Sequence, residues 1–153
     1  MRTSNKIKKW ESRFHNVLVK RHKHYAKNVF HRLMKKSTTL KTSLKRRAKE
    51  YEVEFDITLD EVREMILSYY CQACKYCNRQ LDVTNIVCDH IDPLSNGGGS
   101  VADNLQMICS SCNTRKGNLS DTDYRKLINW LAKQSKDMRS YVMRKLAKGD
   151  NFN

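Results

Sequence analysis

The chain has 153 residues, enough for one compact domain with an extension and too few for two full domains. Only 39% of it is apolar and 30% is charged, which excludes a large core and calls for a staple to help hold the fold. The net charge of +14 is lopsided: residues 1–50 carry 17 Lys and Arg against Glu11 and Glu50, and the rest is close to neutral, the electrostatic footprint of a nucleic-acid binder.

Residues 1–50 are expected to form a basic, helical DNA-binding arm, separate from a domain spanning 51–153. Trp10, Phe14, Val17 and Leu18 recur at helical spacing, and Tyr25, Val29 and Leu33 continue with a similar step. One or two amphipathic helices follow from this, with Lys, Arg and His on the opposite face. Ser37-Thr38-Thr39 reads as a break, after which Leu40 to Glu50 resumes the basic helical pattern. His15, His22, His24 and His31 have no carboxylate or cysteine beside them, so they read as a polar, phosphate-facing surface and not as metal ligands. Val53 to Ile57 alternates apolar and polar residues, which predicts a short strand. Thr58-Leu-Asp-Glu61 is a capping box and should open a helix with Leu59, Val62, Ile66 and Leu67 on one side, ending near Tyr70.

No stretch approaches the roughly 18 apolar residues needed to span a bilayer, and no apolar run follows the basic start. A cytoplasmic protein with no membrane partner is expected, and paired cysteines in that compartment read as metal ligands. Cys74-Lys-Tyr-Cys77 and Cys109-Ser-Ser-Cys112 are two C-x2-C pairs with 31 residues between them. Two such pairs can complete a tetrahedral zinc site, and four thiolates leave no open coordination position, so this Zn²⁺ should be structural. Cys71 also stands two residues before Cys74, which makes Cys71/Cys74 a rival pair. Cys74/Cys77 is preferred because Cys71 follows Tyr69-Tyr70 at a predicted helix end. Cys88, in an apolar run, reads as a buried thiol.

The segment between the pairs is longer than a simple zinc ribbon needs. Strand-forming residues lead from Ile86 into Asp89-His90, Pro93 ends the pairing, and Gly97-Gly98-Gly99 makes a turn. Leu105 to Ile108 returns as a second strand. A short helix then carries Asn113-Thr-Arg-Lys116, with Gly117 placed to cap it. Phosphodiester hydrolysis needs an activated water and a cation to neutralise charge on the phosphate. His90 is the one imidazole in this region that could deprotonate water near neutral pH. Asp89 and Asn113 offer hard oxygen ligands for a divalent cation, and Lys116 would share the Asn113 face and touch phosphate.

Cys74-x-Tyr-Cys77, Asp89-His90-Ile-x-Pro93-Leu-Ser-x-Gly-Gly, Asn104-Leu-Gln and Cys109-x-x-Cys112-Asn113-x-x-Lys116 together resemble the HNH endonuclease signature over about residues 71–120. Arg46-Arg47-Ala48-Lys49, with Phe55 and Thr58 beyond, resembles the lead-in of small phage and bacterial members. The resemblance implies an α+β fold with a ββα-metal core clamped by the four-cysteine zinc site and flanked by helices. It also implies a one-metal DNA endonuclease acting on double-stranded DNA in a bacterial or phage-infected cell. By the same resemblance His90 is the general base, Asp89 is the first ligand of the catalytic cation, and Asn104 fixes the histidine loop through backbone hydrogen bonds. Asn113 stands where the strict pattern has His, making this an HNN variant. An all-oxygen Asp89/Asn113 pair suits Mg²⁺ or Mn²⁺ better than Zn²⁺. Lys116, Arg115, Arg46 and Arg47 are the residues expected against DNA.

Ser120-Asp-Thr-Asp123 reads as a second capping box and should open a further helix with Tyr124, Leu127, Ile128 and Leu131 on one face, followed by another over about 136–147 that groups Tyr141, Val142 and Leu146. These helices are expected on the zinc module, on the helix starting near Leu59, or at a dimer surface, so monomer and homodimer both stay open. The competing function is a non-catalytic, zinc-stabilised DNA- or RNA-binding module. Such a module would keep the arm and the cysteines but has no use for Asp89, His90, Asn104 and Asn113 together.

Overall fold

A computed structural model of the chain describes the backbone of residues 2–148 and the side chains from residue 19 onward. The packing expected of Trp10, Phe14, Val17 and Leu18, and the setting of His15, lie outside the described side chains.

Residues 2–50 contain neither Gly nor Pro and form one continuous helix, α1 (Arg2–Glu50). The break expected at Ser37-Thr38-Thr39 is absent. The three hydroxyls bond back onto helical carbonyls, Ser37 and Thr38 to Met34 and Thr39 to Lys35, so they satisfy themselves without ending the helix. Packing reinforces this, because Val29, Leu33, Ser37, Leu44 and Ala48 form a buried stripe on one face. Tyr25, expected to extend that stripe, is 66% exposed.

The stripe also moves the expected boundary. Val29, Leu33 and Leu44 belong to the same hydrophobic cluster as Ile57, Val62, Ile66, Leu81, Ile86, Met107 and Ile108. The second half of α1 is therefore part of the globular domain, and residues 19–28, which precede it, have exposed side chains. Arg47 and Lys49 lie in the last turn, where positive charge complements the helix dipole.

The chain then turns through Glu52, at φ +54°, into β1 (Phe55–Asp56). The Thr58–Glu61 capping box forms as expected and opens α2 (Leu59–Tyr69), which buries Val62 and Ile66. β2 (Ile86–His90) pairs antiparallel with β4 (Leu105–Cys109), placing Asp89 opposite Gln106 and His90 opposite Leu105. Between them β3 (Ser100–Val101) runs parallel to β1, with Phe55 beside Ser100. α3 (Ser110–Lys116) follows β4 directly, and Gly117 ends it at φ +52°. The expected ββα core is thus β2, β4 and α3, in a mixed α+β fold.

α4 (Asp121–Ala132) begins at Ser120, whose hydroxyl accepts the Asp123 backbone N–H. The Asp123 carboxylate takes the Ser120 hydroxyl, in place of the backbone N–H that a full capping box would use. α5 (Lys136–Lys148) buries Val142 and packs on α3 and α4, while Tyr141 is half exposed. No described helix is long and apolar enough to cross a membrane.

Candidate functional site

Two constellations sit at opposite ends of the β2–β4 pair. At the Cys109 end, the sulfurs of Cys74, Cys77, Cys109 and Cys112 lie within 4.8 Å of one another. Cys74, Cys109 and Cys112 are buried and Cys77 is exposed. The Cys77 and Cys109 sulfurs are 3.6 Å apart. A tetrahedron with Zn–S bonds of about 2.3 Å has edges of about 3.8 Å, so the set fits one ion. Burial alone would raise the Cys74 thiol, but backbone N–H groups of Cys109, Tyr76 and Cys77 outweigh it and bring it down to about 7. Donors of this kind favour a thiolate ligand. Cys71 is exposed, stands outside the cluster and has φ +66°. The preferred pairing is the one that assembles.

At the other end, Asp89 and His90 leave β2 and Asn113 faces them from α3. All three line one open cleft of about 250 Å³, together with Arg47 of α1, Tyr51 just beyond it, Pro93 and Leu94. The loop after His90 is held by Asn104. Its side-chain oxygen accepts the Asp92 N–H at 2.9 Å, and its amide donates to the carbonyls of Asp92 (3.0 Å) and Gly99 (2.8 Å). One side chain so fixes both backbone polar groups of Asp92. Gly98 leaves no room for change, because a Cβ there would sit 2.0 Å from the Asp92 oxygen and 2.8 Å from the Asn104 amide nitrogen. Gly98→Ala is expected to displace that loop, costing about 1–3 kcal/mol in a urea melt and lowering any activity of the site by about 10²-fold, the cost of a misplacement of about 1 Å.

His90 is 5% exposed, and its Nε2 lies 2.9 Å from Ser100 Oγ. Ser100 is fully buried, carried on β3 and anchored by its own N–H on the Glu54 carbonyl. No hydrogen bond to His90 Nδ1 occurs among the described residues. Burial, with the charges of Arg47 and Lys116, lowers the His90 pKa to about 4, so the imidazole is neutral at pH 7.

Asp89 is 6% exposed. Gln106 Nε2 donates to its Oδ2 at 2.7 Å, and Lys116 Nζ stands 3.2 Å from Oδ1 and 3.1 Å from Oδ2. Burial pushes the Asp89 carboxyl up, while these donors pull the other way. The Asn113 side-chain amide is half-buried and makes no hydrogen bond among the described residues. A buried carboxylate already oriented by donors, next to an unpartnered amide, is a donor set that fits a hard divalent cation.

The four residues expected against DNA have different settings. Lys116 is turned inward: its side chain is fully buried and its Nζ also donates to the His90 carbonyl at 2.7 Å. The expected phosphate contact is therefore not available to it, because two acceptors on β2 draw the ammonium into the interior. Arg46 is exposed and paired with Glu50. Arg115 is half-buried, with Nε enclosed and unpartnered, facing a hollow formed with Ser110, Ser111 and Ala147. Arg47 alone of the four lines the cleft.

Ser100 and Gln106 carry no role in the sequence reading. Gln106 had a visible signal, as a polar residue inside the apolar run Leu105 to Cys109. Ser100 had none, since its place beside His90 depends on the long-range β1–β3 pairing.

A family model for HNH endonuclease matches residues 74–119, under a third of the chain. No curated relative matches. Among solved structures, the chain is similar to the crystal structure of the Type II-C Cas9 enzyme from Actinomyces naeslundii, at 16% identity and a TM-score of 0.37. That alignment covers 91% of this chain and 17% of the Cas9 chain, so the chain spans less than a fifth of that enzyme. The family match supports a nuclease-type function.

Proposed function

We propose that this chain is a DNA endonuclease that hydrolyses phosphodiester bonds in double-stranded DNA with one catalytic divalent cation, Mg²⁺ or Mn²⁺, beside a structural Zn²⁺. The observation that carries the reading is the convergence of Asp89, His90 and Asn113 on one open cleft that Arg47 also lines.

His90 acts as the general base. With Ser100 Oγ accepting from Nε2–H, the ring is held in the tautomer that leaves the Nδ1 lone pair free for a water proton. A phosphate in the cleft opposes the depressed basicity of the ring, because its negative charge favours the imidazolium. Asn104 keeps the following loop in one conformation and so keeps the ring aimed. Asp89 and Asn113 would hold the cation, which supplies charge neutralisation at the scissile phosphate and leaving oxygen when bound. Arg47, at the end of α1, adds positive charge at the same cleft. Zn²⁺ at the four cysteines joins the knuckle before β2 to the start of α3 and has no open position for chemistry.

The basic arm supplies affinity. Removing residues 1–27 deletes nine Lys and Arg and spares the core residues that begin at Val29. Duplex affinity is expected to fall and its salt slope to flatten by about 0.9 per lost phosphate contact, with the melting temperature unchanged. Titrations of labelled duplex between 50 and 200 mM salt check this, and an unchanged slope would assign the arm another task. A cut at residue 45 removes Leu33 and Leu44 from the core and is expected to unfold the domain instead.

Incubation of supercoiled plasmid with the zinc-loaded chain tests the activity. Nicked or linear product with Mg²⁺ or Mn²⁺, abolished by EDTA, is expected. Full activity with Zn²⁺ alone and none with Mg²⁺ would contradict the assignment of the cation.

A further inference from the structure

Gln106 is 4% exposed, and all of its side-chain hydrogen-bonding groups are in use. One amide N–H goes to Asp89 Oδ2 at 2.7 Å and the other to the Tyr76 hydroxyl oxygen at 3.0 Å, while its carbonyl accepts from Lys75 Nζ. Tyr76 and Lys75 are the two residues between Cys74 and Cys77. Both also bind Asp121 at the start of α4: the Tyr76 hydroxyl donates to Oδ1, and Lys75 Nζ lies 2.9 Å from the same oxygen. Arg125 closes the set on Asp121 Oδ2 at 2.8 Å. These bonds outweigh burial and hold the Asp121 carboxyl well below the usual range. A continuous polar chain thus runs from the first cysteine pair, through Gln106, to the carboxylate assigned to the catalytic cation.

The register makes this arrangement specific. Asp89 and Gln106 are directly opposite on β2 and β4, so their side chains share one face of the pair. His90 points to the other face, toward Ser100. The chain therefore bears on the cation site and leaves the base alone.

We propose that Gln106 is the positioning residue of the Asp89 carboxylate, and that its bonds to Lys75 and Tyr76 couple the four-cysteine knuckle to affinity for the catalytic cation. This rests on the nuclease reading of the cleft. A metal-ligating carboxylate needs its remaining lone pairs oriented, and loss of such a partner typically weakens metal binding about 10–100-fold. Gln106 is suited to this task because a primary amide carries two donors at fixed geometry. It can hold Asp89 and reach the knuckle at once. Lys116 neutralises the carboxylate, but it contacts both oxygens nearly equally and so does not choose between them.

The test uses the full, zinc-loaded chain and Mn²⁺ as the probe. Mn²⁺ binding is read by electron paramagnetic resonance without DNA, alongside zinc content and melting temperature. Gln106→Leu is expected to weaken Mn²⁺ binding about 10–100-fold. The half-saturating Mn²⁺ concentration for cleavage should rise in parallel, with most of the rate recovered at high Mn²⁺. Tyr76→Phe, which removes only the hydroxyl link, is expected to weaken Mn²⁺ binding by a smaller factor, about threefold or more, and it serves alone if Gln106→Leu fails to retain zinc. Wild-type Mn²⁺ affinity in a folded Gln106→Leu, or in Tyr76→Phe where Gln106→Leu does not fold, would overturn the proposal. If the wild-type chain neither binds Mn²⁺ nor cuts DNA, the nuclease reading itself fails, and this inference with it.

Discussion

His90→Ala is expected to lower the single-turnover rate of DNA cleavage by about 10²–10⁴-fold at saturating Mg²⁺, a barrier increase of about 3–5 kcal/mol. The ring is the one imidazole in the cleft, it is neutral at pH 7, and its Nδ1 has no hydrogen-bond partner among the described residues. Alanine removes the proton acceptor and leaves Asp89, Asn113 and the four cysteines in place. DNA affinity should change little, because the imidazole that is lost is uncharged and the affinity is proposed to come from the basic arm. The comparison is made at matched zinc content, with a melting curve to show that the loss of the Ser100 bond has not unfolded the loop. Cleavage within about threefold of wild type would mean that another group takes the proton.

Loss of the metal at the cysteines should have a larger effect still on the fold. Structural zinc contributes apparent folding energies of about 10–16 kcal/mol at pH 7, and small domains have total stabilities of about 5–15 kcal/mol. Cys109 ends β4 and directly precedes α3, and Cys112 lies in α3, so a single ion at the four sulfurs would hold the ββα core to the knuckle that contains Cys74 and Cys77. Cys109→Ser, or removal of zinc by a strong chelator, is expected to abolish the cooperative thermal transition seen by circular dichroism. Cys71→Ser is the control: it is exposed and outside the cluster, so its effect should stay within about 0.5 kcal/mol. A cooperative melt that survives complete removal of zinc would show that the core in α1, α2 and the β2–β4 pair suffices alone.

Much of this was legible in residue order, where the signals are local. The capping box at Thr58, the two cysteine pairs and the strand–turn–strand run from Ile86 to Ile108 each depend on residues a few positions apart, and each appears in the structure. Local signals misled where packing overrode them. Ser37-Thr38-Thr39 has the composition of a break, yet Ser37 is buried in the helix face that meets α2 and its hydroxyl is satisfied within α1. The same packing drew residues 29–48 into the domain, which charge alone had assigned to the arm. At the site, Lys116 looked like a surface cation because its spacing from Asn113 gives a face but not that face's direction. The Asp89 carboxylate and the His90 carbonyl turn it inward. Ser100 and Gln106 reach Asp89 and His90 only through strand pairing, which no short window of sequence contains.

On the nuclease reading the cleft cuts DNA and does not merely bind it. The most direct test measures binding and cleavage of one end-labelled duplex in the same reaction, with zinc-loaded wild-type chain, first in EDTA and then after addition of Mg²⁺. A bound, intact duplex is expected in EDTA, and its cleavage once Mg²⁺ is added. A duplex that is fully bound by a folded, zinc-containing chain and stays intact with Mg²⁺ and with Mn²⁺ would contradict it, and would make this chain a zinc-stabilised DNA-binding module.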